Sequence, residues 1–282
     1  MHTERYLAMM TGFILISAIA TVLAGNPPAR LVPPAPPEDL SAVLAADPTK
    51  DAGMAKRMLV DNGVPAELRM RAVKSLGASP VVVLLDAIAQ CGGTCGATRD
   101  LADVLVLLAA EAAKDPAVLE RLTKCAQTPG DPAYTAALRT IAAMPTEQRP
   151  EVLKAVTVRK VAIATIPGAM QYDIKEIKAK PGEILEITLK NTDTMQHNLL
   201  ITMPGKMSEV GVAADKMGDT PEGKACQFVP DTPSILAVMG LIDPGKSGSF
   251  FYVVPQKPST YQYVCTVPGH WRMMNGKLKV AP

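Results

Sequence analysis

Two stretches of the sequence concentrate residues able to do metal chemistry. His197 stands in Met195-Gln196-His197-Asn198, just ahead of the apolar run Leu-Leu-Ile-Thr. Far along the chain, Tyr-Gln-Tyr-Val-Cys265 leads into Thr-Val-Pro-Gly-His270-Trp-Arg-Met-Met274. The spacing Cys-x4-His-x3-Met lets one tight loop set a thiolate, an imidazole and a thioether around a single point, with His197 arriving from a separate strand. Two imidazoles and a thiolate with a long, weak thioether form the donor set of a blue-copper electron-transfer site. Taken singly, each residue has a plainer reading: a core histidine, a small buried cysteine, a methionine that fills a gap. Their conjunction on two ligand-presenting segments is what points to a metal.

Counting narrows the chemistry further. The chain of 282 residues holds 3 His and 5 Cys, and His2 precedes an apolar segment, so two histidines remain for a site. Multicopper clusters and di-iron centres are excluded, and any metal site must be mononuclear and recruit Cys or Met. A binuclear copper site would need two Cys in the ligand loop, where only Cys265 stands. Zinc could take the same ligands, but copper binds more tightly and zinc is redox-silent. No substrate pocket follows from these residues, so the expectation is an electron carrier and not an enzyme. Residues 1–156 carry 15 basic and 16 acidic side chains and residues 157–282 carry 14 and 11, so neither half has the basic face that a nucleic-acid partner requires.

The elements that must position these residues lie in the second half, residues 157–282. Leu185, Ile187 and Leu189 alternate with Glu186, Thr188 and Lys190, and Leu278 and Val280 alternate with Lys277 and Lys279, which is the period of a half-buried strand. Ser249–Val254 and Tyr261–Cys265 read as further strands, with turn signals at Pro181-Gly182, Asp243-Pro244-Gly245 and Pro268-Gly269. Several short strands over this length predict a Greek-key β-sandwich. The stretch from Lys206 to Met239 breaks the rhythm and reads as a partly helical excursion.

The segments PGEILEITLKNTDTMQHNLLI and YVCTVPGHWRMMNGKLKV resemble the cupredoxins, in particular their azurin and auracyanin branch, over about residues 158–282. The resemblance implies one type 1 copper with His197, Cys265 and His270 as equatorial ligands and Met274 as the axial ligand, Met273 matching no azurin spacing. It implies that Asn198 tethers the two ligand loops. The chain departs at Gln196, where azurins have a glycine whose carbonyl approaches the metal. The family places its C-terminal histidine ligand at the surface in an apolar patch. Trp271 and Met273 are therefore expected to receive electrons and dock a redox partner, with Met195 nearby. By fold-level analogy that partner is a c-type cytochrome or a dehydrogenase.

Residues 39–156 read differently. The chain is rich in Ala and Leu at spacings of three and four, the helical period. A shift of about 33 residues aligns Pro65-AELRMRAVKSLG, Thr98-RDLADVLVLLAA and Pro132-AYTAALRTIAAM, and the second helices recur as Pro80-VVVLLDAIAQ, Pro116-AVLERLTKCAQ and Pro150-EVLKAV. This predicts either a short HEAT-like solenoid or an antiparallel bundle. The half has no His and no catalytic constellation, so its expected role is docking or spacing. Cys91 and Cys95 flank Gly-Gly-Thr and are expected to form a local disulfide, Cys95–Cys125 being the better long-range pair, with Cys226 structural. Residues 1–25 include the uncharged Leu7–Gly25, read as an export signal ending near Ala24 or as a membrane anchor. Residues 26–38 form a linker in which six of the eleven residues from Pro27 to Pro37 are proline. Such a linker is an extended spacer of roughly 30 Å. The chain is thus expected to be exported or periplasmic, with the membrane reached through its N-terminal segment. Two alternatives are a copper carrier or storage protein, suggested by the methionines beyond Lys160, and an interaction scaffold with an accessory cupredoxin.

Overall fold

The computed structural model describes residues 46–60, 66–76, 79–90, 96–218 and 220–282. The N-terminal apolar segment, the proline-rich linker and the Cys91–Cys95 pair lie outside the described residues. Among the described residues no single helix is long and apolar enough to cross a membrane.

Helices come first: α1 (Ala52–Val60), α2 (Ala66–Ser75), α3 (Pro80–Gln90), α4 (Gly96–Leu107), α5 (Ala109–Ala112), α6 (Pro116–Gln127) and α7 (Tyr134–Ala143). Local chemistry explains α6. Asp115 accepts from the backbone N–H groups of Ala117 and Val118 at 3.0 and 3.3 Å, and Pro116 fills the first helical position, where no N–H is needed. Val118, Leu122, Cys125 and Ala126 then form its buried face at helical spacing. Arg69 of α2 is fully buried and donates to the carbonyls of Met58 and Leu59, satisfying the C-terminal end of α1. Two ion pairs each join residues about one repeat apart, Arg121 with Asp86 and Arg139 with Asp103, at separations of 35 and 36 residues.

The expected repetition ends early. Where Pro150-EVLKAV predicts another helix, the chain makes two single 3-10 turns, Thr146–Gln148 and Glu151–Leu153. Met144 and Arg149 each precede a proline and are extended, with ψ of 146° and 147°, because the proline ring disfavours helical backbone before it. Arg149 closes this junction by donating to the carbonyls of Ala142, Met144 and Val156 at 2.9, 3.1 and 2.9 Å. Cys125 carries a free, buried thiol and Cys226 a free, exposed one, while Cys95, the long-range partner weighed for Cys125, lies outside the described residues.

The remaining chain forms β1 (Val158–Ile166), β2 (Gln171–Tyr172), β3 (Glu176–Ala179), β4 (Ile184–Lys190), β5 (His197–Thr202), α8 (Met207–Met217), α9 (Pro221–Ala225), β6 (Ile235–Ile242), β7 (Ser247–Val253), β8 (Ser259–Val264) and β9 (Asn275–Val280). One sheet runs β2-β1-β4-β7 and the other β3-β9-β8-β5-β6. The β1–β4 and β3–β9 pairs are parallel, the others antiparallel. The inward residues Ile163, Leu185, Ile187, Leu189, Leu199, Ile201 and Leu278 fill the core between them.

The excursion is shorter than the broken rhythm suggests, since Ile235–Met239 already belongs to β6. Ile235, Ala237 and Met239 are buried while Leu236 and Val238 are half-buried, so apolar residues on both faces hide the period of two. For the same reason β5 is buried at every position: Leu199 and Ile201 enter the main core, and Leu200 packs under α8 with Val210, Ile235 and Val264. At the opposite face of the other sheet, Ile184 and Val253 join the helical core, with Val158 and Phe251 packed against it.

Candidate metal centre

His197 begins β5, Cys265 follows β8, and His270 lies in the turn that leads to β9. Because β5 and β8 are hydrogen-bonded neighbours, with Leu200 opposite Val264, two residues 68 apart in sequence meet at one end of the sandwich. Nδ1 of His197 lies 3.8 Å from Cys265 Sγ, and Nδ1 of His270 lies 3.7 Å from it. The two imidazole centroids are 5.1 Å apart and tilted by 44°. His197 and Cys265 are fully buried, whereas His270 is 7% exposed. This is the only such cluster of potential ligands among the described residues.

Met274 is fully buried in the same core as Cys265. Its carbonyl accepts from Cys265 N–H at 3.0 Å and its N–H donates to the His270 carbonyl at 2.8 Å, which closes the ligand loop on itself. Gly269 opens that loop at φ 85°, a left-handed conformation that favours glycine.

Asn198 joins the two ligand segments. Its Oδ1 accepts from Thr266 N–H at 2.7 Å, and its Nδ2 donates to Thr266 Oγ1 at 2.8 Å and to the Gln227 carbonyl at 2.9 Å. The Asn198 carbonyl in turn accepts from the buried Tyr172 hydroxyl at 2.5 Å. Gln196 points elsewhere, its Nε2 donating to Asp243 at 2.6 Å.

Sequence reasoning missed two residues of this centre. Asp193 is buried, and its Oδ2 lies 3.1 Å from His197 Nε2. Burial opposes ionisation of Asp193, but N–H donors from Thr194 and Gly168 and the His197 ring hold its carboxyl below the usual value. An ionised carboxylate only accepts, so His197 Nε2 carries the proton and Nδ1 keeps its lone pair toward Cys265. Burial likewise pushes the His197 imidazole below its ordinary pKa, against the pull of Asp193. The i−4 position of Asp193 was the one available signal. Asn191, also missed, donates to the carbonyls of Met195 and Ile242 at 2.7 and 2.8 Å and so fixes the loop leading to His197.

The donor set fits a copper ion on its own chemistry. Burial pushes the Cys265 thiol up to about 12, although the N–H groups of Asn198 and Val267 work to lower it. Two neutral imidazoles and a thiol that cannot ionise alone need a cation to stabilise the thiolate, and metal binding would release that proton.

Trp271 is half-buried, and its ring packs with Val210 and Leu200 under α8. Met273, by contrast, is 52% exposed and Met195 43%.

Residues 159–281 match the family described as copper binding proteins, plastocyanin/azurin family, a match that begins inside β1 and leaves helices α1 to α7 out. Auracyanin-A of Chloroflexus aurantiacus is 29% identical over 113 residues, covering 39% of this chain and 67% of that protein. Azurin-2 of Alcaligenes xylosoxydans xylosoxydans is 35% identical over 122 residues, covering 40% of this chain and 90% of that protein. The solved structure of auracyanin A, a "blue" copper protein from Chloroflexus aurantiacus, is 28% identical, with 44% of this chain and 100% of that one covered at a TM-score of 0.41.

Proposed function

Since the chain belongs, through residues 159–281, to the plastocyanin/azurin family of copper-binding proteins, we propose that it is a type 1 copper electron-transfer protein. The observation that carries this reading is the convergence of His197, Cys265 and His270 in a buried site tied together by Asn198. His197, Cys265 and His270 would hold the ion, and the buried Met274 would supply a further, weaker thioether ligand. Copper, when bound, supplies a Cu(II)/Cu(I) couple that gains and loses a single electron.

The residues around the site limit how far its ligands move when that charge changes. Asp193 orients His197 and raises its basicity, as an outer carboxylate does for a ligating histidine. Asn198 keeps the His197 strand and the Cys265 loop in one register. Burial of His197 and Cys265 favours a retained ion over an exchangeable one, which argues against a carrier or storage role.

Electrons would pass through His270, the ligand nearest solvent. Exposed Met273, three residues beyond His270, and exposed Met195, two residues before His197, would offer apolar contact to a c-type cytochrome or dehydrogenase partner. Trp271 contributes less to that surface than its sequence position suggests, because its ring faces α8. The helical region would act as a HEAT-like docking or spacing element, a reading supported by the recurring Asp86–Arg121 and Asp103–Arg139 pairs. The uncharged segment Leu7–Gly25 supports export, with the proline-rich linker as a spacer from a membrane.

Absorption and EPR spectra of the copper-loaded chain test the assignment. The expected result is an intense visible thiolate-to-copper band with a narrow copper hyperfine splitting. A colourless copper-loaded protein would overturn it.

A further inference from the structure

Helix α8 belongs to the excursion between β5 and β6, yet it reaches the ligand loop. Gly211 and Asp215 are one turn apart and share a face of this helix. At Gly211 the Trp271 ring comes so close that a Cβ would sit 2.3 Å from ring atom Cδ2, a position no other residue permits without displacing the ring. One turn on, the Asp215 carboxylate accepts three hydrogen bonds from the loop. Oδ1 accepts from Gly269 N–H at 2.8 Å, and Oδ2 accepts from Trp271 Nε1 and from Arg272 Nη1, each at 2.9 Å. The Arg272 guanidinium also lies 4.4 Å from the Trp271 ring centroid. Gly269, Trp271 and Arg272 bracket His270 on both sides. A single carboxylate on a separate element therefore fixes the backbone that carries the one ligand near solvent.

We infer that Asp215 is a positioning residue for His270, and that α8, through Asp215 and Gly211, acts as an outer brace of the copper site. This rests on the copper reading above. Asn198 and Asp193 hold the buried side of the centre, where His197 and Cys265 lie. Without α8 the His270 turn would be held only by its own backbone bonds and by Asn275, whose Nδ2 donates to the Trp271 and Arg272 carbonyls at 2.9 and 3.3 Å. A brace of this kind keeps His270 Nδ1 aimed at the point shared with Cys265 in both charge states.

The full chain carries one tryptophan, so Trp271 emission reports on the brace without any metal. Asp215→Ala, Asp215→Asn and Gly211→Ala are compared with Val212→Ser, an exposed position on the same helix. In the metal-free chain, Asp215→Ala and Gly211→Ala should shift Trp271 emission to the red, and Asp215→Ala should speed amide exchange at Gly269. In the copper-loaded chain, Asp215→Ala should change the EPR hyperfine splitting and the potential. It should also weaken copper binding by about tenfold, the low end of the loss seen when an outer partner of a metal ligand is removed. Asp215→Asn keeps one acceptor oxygen and should restore part of each change, while Val212→Ser should change none. A parental chain without a copper signal would overturn the copper reading and this inference with it. A parental signal left unaltered by Asp215→Ala, in splitting, potential and affinity, would overturn this inference alone, leaving α8 as packing for Trp271. Unshifted emission in both Asp215→Ala and Gly211→Ala would do the same.

Discussion

The helical region and the sandwich bury different kinds of residue. Among the described helices the buried polar or charged side chains are Arg69, Arg139 and Thr140, and the rest of the core is Ala, Leu, Val, Ile, Met and Cys125. The sandwich buries Thr165, Asn191, Asp193, His197, Asn198, Thr202, Ser234, Thr266 and His270, most of them at the end where β5 meets β8. Burying a polar group costs free energy unless it is hydrogen-bonded, so a chain concentrates them only where their partners are supplied together. In the helices the buried side chains other than Arg69, Arg139 and Thr140 contribute volume and apolar area, and one contribution resembles another. At the ligand end of the sandwich each buried group has a particular partner, and no neighbour can replace it.

That contrast can be broken by substitution, and the largest effect falls on the sandwich. Cys265→Ser should abolish the visible thiolate band of the copper-loaded chain while the far-ultraviolet helical signal stays as it was. A variant that kept its colour would refute the ligand set. Leu122→Ala, in the fully buried face of α6, should lower stability to denaturant by about 2–5 kcal/mol. The position of the band and the potential should not change. A shift in either would mean that the helical core and the copper site are coupled through Ile184 and Val253.

Asp193→Asn should leave the fold intact and lower copper affinity roughly 10- to 100-fold, read by competition with a chelator, and the potential should rise as His197 becomes less basic. The smallest effect separates the two regions by acid. A Lys279 hydrogen bond holds the Glu176 carboxyl below its usual pKa. At Glu183 and Asp215 burial acts in the opposite direction. It is outweighed by Arg159 and Lys180 N–H at Glu183, and by Trp271, Gly269 and Arg272 at Asp215. A carboxyl with a depressed folded-state pKa stabilises above its unfolded value, and that contribution is lost as pH falls through the folded one. Acid below about pH 4 should therefore loosen the sandwich of the metal-free chain slightly before the helices, where Asp47, held low by Thr49, is the corresponding group. Trp271 emission against helical ellipticity as pH is lowered would check the order, and simultaneous loss of both signals would contradict it.

The strands with one solvated face, β4 and β9, were legible because Leu185, Ile187 and Leu189, or Leu278 and Val280, alternate with charged and polar residues. β6 was not, because Leu236 and Val238 are as apolar as the residues they alternate with. Helices α2, α3, α4, α6 and α7 followed from their apolar spacing and repetition, whereas the helix expected after Pro150 failed because two Xaa-Pro steps extend the backbone within a few residues. Cys265, His270 and Met274 were recognisable because ligand spacing within a loop is written along the chain, and His197 because it stands just ahead of an apolar strand as the one other histidine left for a site. Asp193 had a faint signal in its i−4 position, and Asp215 had none.

The sequence by itself determined which atoms are available to a metal, which loop carries three of them, and which regions take the helical or the strand period. All of these are local properties, set by residue type and by spacings of a few residues. Only the tertiary structure decided that β5 would deliver His197 to Cys265, that Asp193 would hold the histidine proton, and that a carboxylate on α8 would reach Gly269, Trp271 and Arg272. Those contacts join residues as far as 68 positions apart. They depend on strand order and on how closely a helix can approach at Gly211, quantities that arise when apolar faces pack together and that no local pattern records.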